Sequence, residues 1–203
     1  MPATCVVPPL RSRVLTTLAQ SEAGLTGRAI ARRSDGSVAG VARILDNLVQ
    51  GGVVGRTDVG SAAVYELNRE HLAADAVLLL GNLREALFRR IEVAVTKMEP
   101  QPLSVLVFGS ALGSGDASSD IDVLMIRPPG VTEDEEEWSD AVADLESAIS
   151  RWTGNPATIV EYGDLEFRRA VRANRPFVRS LRAGSLHIAG LTLSQLTQRA
   201  RRS

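Results

Sequence analysis

Gly109-Ser110 and Asp120-Ile121-Asp122 stand nine residues apart, each joined to an apolar run. Leu103-Ser104-Val105-Leu106-Val107-Phe108 leads into the first pair, and Val123-Leu124-Met125-Ile126 leaves the second. Both runs have the length and β-branched content of buried strands. In a strand, residues i and i+2 share a face, so Asp120 and Asp122 set two carboxylates side by side at a strand start. Like charges this close repel unless a cation sits between them. Hard oxygen ligands favour Mg²⁺ or Mn²⁺. A glycine turn after a strand lets backbone N–H groups approach a phosphate, and the Ser110 hydroxyl adds a donor.

The strand, Phe108-Gly109-Ser110, Gly115-Asp116-Ala117 and Ser119-Asp120-Ile121-Asp122-Val123-Leu124 together resemble the nucleotidyltransferase superfamily that includes DNA polymerase β. The likeness is closest to small bacterial minimal nucleotidyltransferase domains and kanamycin nucleotidyltransferases. It implies a nucleoside triphosphate as substrate or ligand, metal held by Asp120 and Asp122, and phosphates anchored by Gly109 and Ser110. The implied reaction is transfer of a nucleoside monophosphate to a hydroxyl. The acceptor could be a protein tyrosine, RNA or a small molecule. Related minimal domains act as antitoxins that modify a toxin, which makes a toxin-type protein a candidate partner.

Active relatives carry a third carboxylate on the next strand. Here that position falls at or next to Thr158, which is not ionisable. Glu161 is the nearest acid, but an offset of three points it to the opposite face of a regular strand. A bulge or shifted register would bring Glu161 round as a catalytic residue, and Asp164 lies just beyond. Relatives also often place an arginine in the loop after the serine. Here the loop reads Ala111-Leu112-Gly113-Ser114-Gly115-Asp116.

The first seventy residues are read as helix, helix, helix, hairpin. Val14, Leu15 and Leu18 mark a helix over 11–20, Thr26 caps a second over 27–33, and Ser37 caps a third. Gly51-Gly52 ends the third helix, and strands over 53–56 and 62–67 follow. Leu25-Thr26-Gly27-Arg28-Ala29-Ile30-Ala31, Leu45-Asp46-Asn47-Leu48-Val49-Gln50-Gly51-Gly52-Val53-Val54 and Tyr65-Glu66-Leu67 resemble a winged helix-turn-helix domain of bacterial regulators. That resemblance implies double-stranded DNA as a partner. Arg28, Arg32, Ser37, Arg43, Asn47 and Arg56 are the candidate contacts. Protein interaction or dimerisation is the other use of such a module.

The expected organisation is α+β, with a winged helix over 10–70, a connecting helix over 71–99, a nucleotidyltransferase-fold mixed sheet with flanking helices over 100–190, and a basic tail over 191–203. Apolar residues from Leu72 to Met98 recur at helical spacing, with Asn68 as the cap. This helix can join the domains, pack on the sheet or pair with its copy in a homodimer. Thr132 and Glu135 read as a capping box, so the acidic run Glu133–Glu137 follows from helix-dipole chemistry. Arg168, Arg169, Arg172, Arg175, Arg179 and Arg182 make a basic side, open to a phosphate, an acidic partner or solvent.

Composition limits the remaining choices. The net charge of −1 confines any nucleic-acid surface to part of the chain. One cysteine, Cys5, excludes an internal disulfide and favours a reducing, cytoplasmic setting. No apolar run has membrane-spanning length, and the N-terminus shows no secretion signal. His71 and His187 are too far apart in sequence to suggest zinc. Two functions are therefore expected. One is a DNA-binding protein with a Mg²⁺-dependent nucleotidyltransferase domain. The other is a transcriptional regulator whose second domain has lost catalysis and serves nucleotide sensing or dimerisation.

Overall fold

The computed structural model describes residues 6–112 and 120–202. It is an α+β protein of two compact units, Pro2–Arg84 and Glu85–Ser203.

In the first unit, helix α1 (Pro9–Ala19) is followed by a two-residue strand β1 (Leu25–Thr26), α2 (Gly27–Arg33), α3 (Val38–Gln50), and a hairpin of β2 (Val54–Val59) and β3 (Ala62–Leu67). The helix starts obey cap chemistry: Thr26 accepts from the Ala29 N–H and Ser37 from the Gly40 N–H. The antiparallel sheet has the order β1-β3-β2, with Leu25 opposite Tyr65 and Arg56 opposite Tyr65 on the other edge. Val14, Leu18, Ile30, Val41, Leu45, Val54 and Leu67 close one core. β1 is an element the apolar pattern does not announce, since two residues carry no periodicity.

The long helix expected from Leu72 to Met98 is instead two helices, α4 (Ala74–Gly81) and α5 (Leu83–Val95), separated at Asn82. Gly81 lies where an added Cβ would meet Ala19 Cβ at 2.6 Å, so a small residue there lets α4 approach α1. Asn68 is not a helix cap. Its amide donates to Gly52 O and its Oδ1 accepts from the Glu70 N–H, closing the hairpin end.

The second unit is built on a four-stranded mixed sheet of order β6-β5-β4-β7. The strands are β4 (Ser104–Phe108), β5 (Ile121–Arg127), β6 (Ala157–Gly163) and β7 (Ser185–Gly190). β5 is antiparallel to β4 and parallel to β6, while β7 is antiparallel to β4. Alternation sends Val105, Val107, Val123 and Met125 to one face and Leu106, Leu124 and Ile126 to the other. The first face packs under α5 and under α6 (Glu136–Thr153), through Leu87, Ile91, Trp138, Val142 and Ile149. The second packs under α7 (Asp164–Arg172), α8 (Pro176–Ala183) and α9 (Leu193–Arg202), through Phe167, Val178, Leu181, Leu196 and Ala200. Both faces are covered, which is why the strands read as continuous apolar runs.

Two expected boundaries move. α6 begins at Glu136, and the Glu135 carboxylate accepts from the Thr132 N–H, so the capping contact lies ahead of the helix. The described part of the basic tail expected over 191–203 is ordered into a helix. α9 occupies most of this stretch and buries Leu196 and Ala200, four residues apart on one face. No helix among the described residues is long and apolar enough to cross a membrane.

Candidate functional site

The candidate carboxylate site forms where β4 turns and β5 starts. Phe108, the last residue of β4, is the cross-strand partner of Asp122. A single-turn 3-10 helix over Gly109–Leu112 then carries the chain off the sheet. Gly109 has φ of +75°, a left-handed conformation open to glycine. It also lies directly against the Asp122 carboxylate: an added Cβ would overlap Oδ2 and come within 3.4 Å of Cγ. The backbone angle favours glycine here, and a side chain would have to displace the Asp122 carboxylate.

Asp122 is half-buried and Asp120 exposed. Burial holds the Asp122 carboxyl above the usual carboxylate range, and the charge of Asp120 adds to this. Residues Gly115, Asp116, Ala117 and Ser119, which carry part of the motif, lie outside the described residues. Beyond Asp122 on the same face, the Phe108 ring meets that of Phe177 edge-on at 5.3 Å. Phe177 in turn stacks on Tyr162 at 5.7 Å.

Register fixes the third position. Asp122 pairs with Thr158 across the parallel β5–β6 ladder, so a hydroxyl stands beside the carboxylate. Glu161 pairs with Met125 and lies on the other face. The structure does not bring Glu161 to Asp120 and Asp122. Its Oε2 accepts from Trp138 Nε1 at 2.5 Å and is 3.4 Å from Arg127 Nη1. Arg127 also lies 3.5 Å from Glu133. β6 has no bulge against β5, which leaves strand parity in control. Asp164 is likewise occupied elsewhere: it begins α7 and pairs with Arg168, one helical turn on.

The donor set suits a hard cation. Among the described residues no group of three His, Cys, Asp or Glu converges. Mg²⁺ is commonly held by one or two carboxylates, with water and substrate phosphates completing its shell. Two carboxylates whose mutual repulsion a cation would relieve meet that requirement.

The six candidate DNA contacts are all exposed. Arg28 and Arg32 project from α2 and Arg43 from α3. The other three have internal partners. Ser37 is the α3 cap, Asn47 Oδ1 accepts from Arg11 Nη2 at 2.5 Å, and Arg56 pairs with Asp58 at 3.0 Å. Asp58 raises the already high pKa of Arg56 through that hydrogen bond and its charge.

No family model matches this chain, and no curated protein matches it. Among solved structures, human N-acetylserotonin methyltransferase in complex with SAM is similar at 19% identity and a TM-score of 0.30, over 46% of this chain. The chain spans about a third (31%) of that protein's length, and the likeness is too slight to bear on fold or function.

Proposed function

We propose that this chain is a DNA-binding protein whose C-terminal unit is a metal-dependent nucleotidyltransferase, transferring a nucleoside monophosphate from a triphosphate to a hydroxyl. The observation that carries this reading is the seating of the Asp122 carboxylate against a left-handed Gly109, with Asp120 two residues away. Asp120 and Asp122 hold Mg²⁺ or Mn²⁺. When bound, the cation supplies charge neutralisation to the triphosphate. The left-handed backbone at Gly109 turns the chain closely over the Asp122 carboxylate, and the resemblance assigns phosphate anchoring to Gly109 and the Ser110 hydroxyl. For the N-terminal unit, the supporting features are the helix-helix-hairpin order and the exposed arginines of α2 and α3. In the proposed winged-helix geometry, α3 enters the major groove and the β2–β3 hairpin lies on the flanking backbone.

A specific observation favours a second reading. The residue in register with Asp122 is Thr158, and Glu161 faces away. Among the described residues, a proton from an attacking hydroxyl then has no third carboxylate on this face to receive it. In this reading the chain is a winged-helix regulator whose second unit senses a nucleotide through the same two aspartates without turnover, or only dimerises.

Calorimetric titration with each nucleoside triphosphate, with and without Mg²⁺, tests the site that both readings share. A component of binding that needs Mg²⁺ and disappears in Asp120→Ala is the expected result. No Mg²⁺-dependent binding of any triphosphate overturns the enzyme and the sensor and leaves only dimerisation. Radiolabel transfer from the triphosphate that binds then separates them: covalent label selects the enzyme, and binding without product selects the sensor. For the DNA interface, Arg43→Glu is expected to weaken duplex binding and flatten its salt dependence. An unchanged salt slope would remove α3 as the recognition helix.

A further inference from the structure

Residues 167–203 contain nine arginines and no aspartate or glutamate. The rest of the chain therefore holds 14 of the 23 basic residues and all 24 acids. This segment folds into α8, β7, α9 and most of α7. Where the three helices end, they enclose a cavity of about 360 Å³ lined by Val171, Arg172, Asn174, Arg182 and Arg201.

Hydrogen bonds within the protein hold part of this cluster in place. Arg172 Nε donates to Ala200 O at 2.8 Å, tying α7 to the last turn of α9. Arg182 Nη1 lies 3.4 Å from Asn174 Oδ1, and Arg179 Nη1 donates to Asn174 O at 2.8 Å. Asn174 is itself in a left-handed conformation, φ +46°, which turns the chain from α7 into α8. Among the described residues, Arg172, Arg182 and Arg201 pair with no carboxylate.

Complementing helix dipoles does not account for the charge. Three helix C-termini supply roughly −1.5 in all, at about −0.5 each. Three guanidiniums leave about +1.5 in a cavity whose lining holds no acid. Guanidinium forks match phosphate oxygens in bidentate geometry, and fixed forks lose less entropy on binding.

We propose that this cavity binds the phosphate group of a small phosphorylated ligand. It shares no lining residue with the carboxylate site, it contains no metal-binding group, and it requires no cation. A nucleotide and a free inorganic polyphosphate present the same chemistry to it.

The test is calorimetric titration of the full chain with inorganic tripolyphosphate and with ATP, in EDTA. Saturable binding of at least one is expected. Arg182→Gln and Arg201→Gln, both at exposed positions, should each weaken it roughly tenfold, the scale of one lost charge-assisted bond. Arg201→Lys keeps the charge without the fork and should fall between. Asp120→Ala should bind as wild type does. Tighter binding of ATP than of tripolyphosphate marks a nucleotide as the ligand, and the reverse order marks a free polyphosphate. The proposal fails if wild type does not saturate with either anion, or if both glutamine variants match it. It also fails if Asp120→Ala abolishes binding, which would place the anion at the carboxylate site. Binding of long duplex DNA without binding of either small anion overturns it too, because the arginines are then a diffuse surface. Apart from the Asp120→Ala outcome, which would assign the anion to the carboxylate site without metal, none of these failures bears on the Mg²⁺-dependent site.

Discussion

Asp122 and Glu161 occupy adjacent strands of one sheet, yet the two faces treat them differently. Under α5 and α6, Glu161 meets an indole N–H and a guanidinium, and its negative charge is compensated inside the fold. On the other face, Asp122 meets partial burial and the like charge of Asp120, which both disfavour its ionised form. A carboxylate that the fold neutralises is part of the scaffold. One that the fold leaves uncompensated is a candidate for a ligand brought from outside. The contrast moves the functional argument from Glu161, an acid at a plausible spacing, to Asp122, Asp120 and the glycine that accommodates them.

The strongest test of that contrast is Glu161→Ala. It leaves Arg127, whose side chain is 10% exposed, with only the exposed Glu133 carboxylate as its anion. A loss of about 3–5 kcal/mol in urea denaturation is expected, the scale for breaking a buried pair. Glu161→Gln, which keeps an acceptor for the indole, should lose less. A loss below about 1 kcal/mol in Glu161→Ala, the scale of an exposed pair, would erase the distinction between the faces. Gly109→Ala comes next. A non-glycine residue at φ +75° costs about 1–3 kcal/mol, and its methyl group displaces the Asp122 carboxylate. Both lower stability and loss of Mg²⁺-dependent nucleotide binding are expected. Stability loss with binding intact would separate the turn from the site.

Thr158→Asp sharpens the comparison by placing a third acid in register with Asp122. Without metal it should melt lower than wild type, and Mg²⁺ should raise its melting temperature by more than it raises that of wild type. An equal Mg²⁺ response would mean that Thr158 does not face the cation. The smallest effect belongs to Asp122→Asn. Because the folded protein holds the Asp122 proton more tightly than the unfolded chain does, ionisation of Asp122 reduces stability as pH rises through its raised pKa. The metal-free variant should therefore melt above wild type at neutral pH, with the gap closing toward the ordinary carboxylate range and below. A gap independent of pH would assign the effect to packing.

Strand parity alone makes the face of Glu161 legible, since an odd offset inverts it. The Trp138–Glu161–Arg127 cluster is not legible in the same way, because it joins one helix to two strands through contacts that no local pattern records. The pairing of Thr158 with Asp122 depends on the register between strands separated by α6, which the two apolar runs leave open. In the N-terminal unit, Thr26, Ser37 and Gly51-Gly52 announce their helix ends locally, and α2 and α3 fall where those residues put them. The break at Asn82 has a local signal in Gly81-Asn82, residue types that favour helix ends, but apolar spacing continues across it and masks the stop, and Gly81 also approaches Ala19. The burial of α9 is hidden for the opposite reason: its arginines dominate the composition, and Leu196 and Ala200 are too few to signal a core face.

The double-sided packing of β5 has a consequence for folding. A slip of one residue against β4 would turn Asp122 toward the core under α5 and α6 and turn Val123 toward the site. Several kcal/mol of desolvation would oppose that slip at the carboxylate alone. The aspartate that a ligand would use therefore also proofreads strand alignment. A chain that reaches its native registry has assembled its candidate site in the same step, and a misaligned chain is left with an acid in oil and is disposed to unfold again.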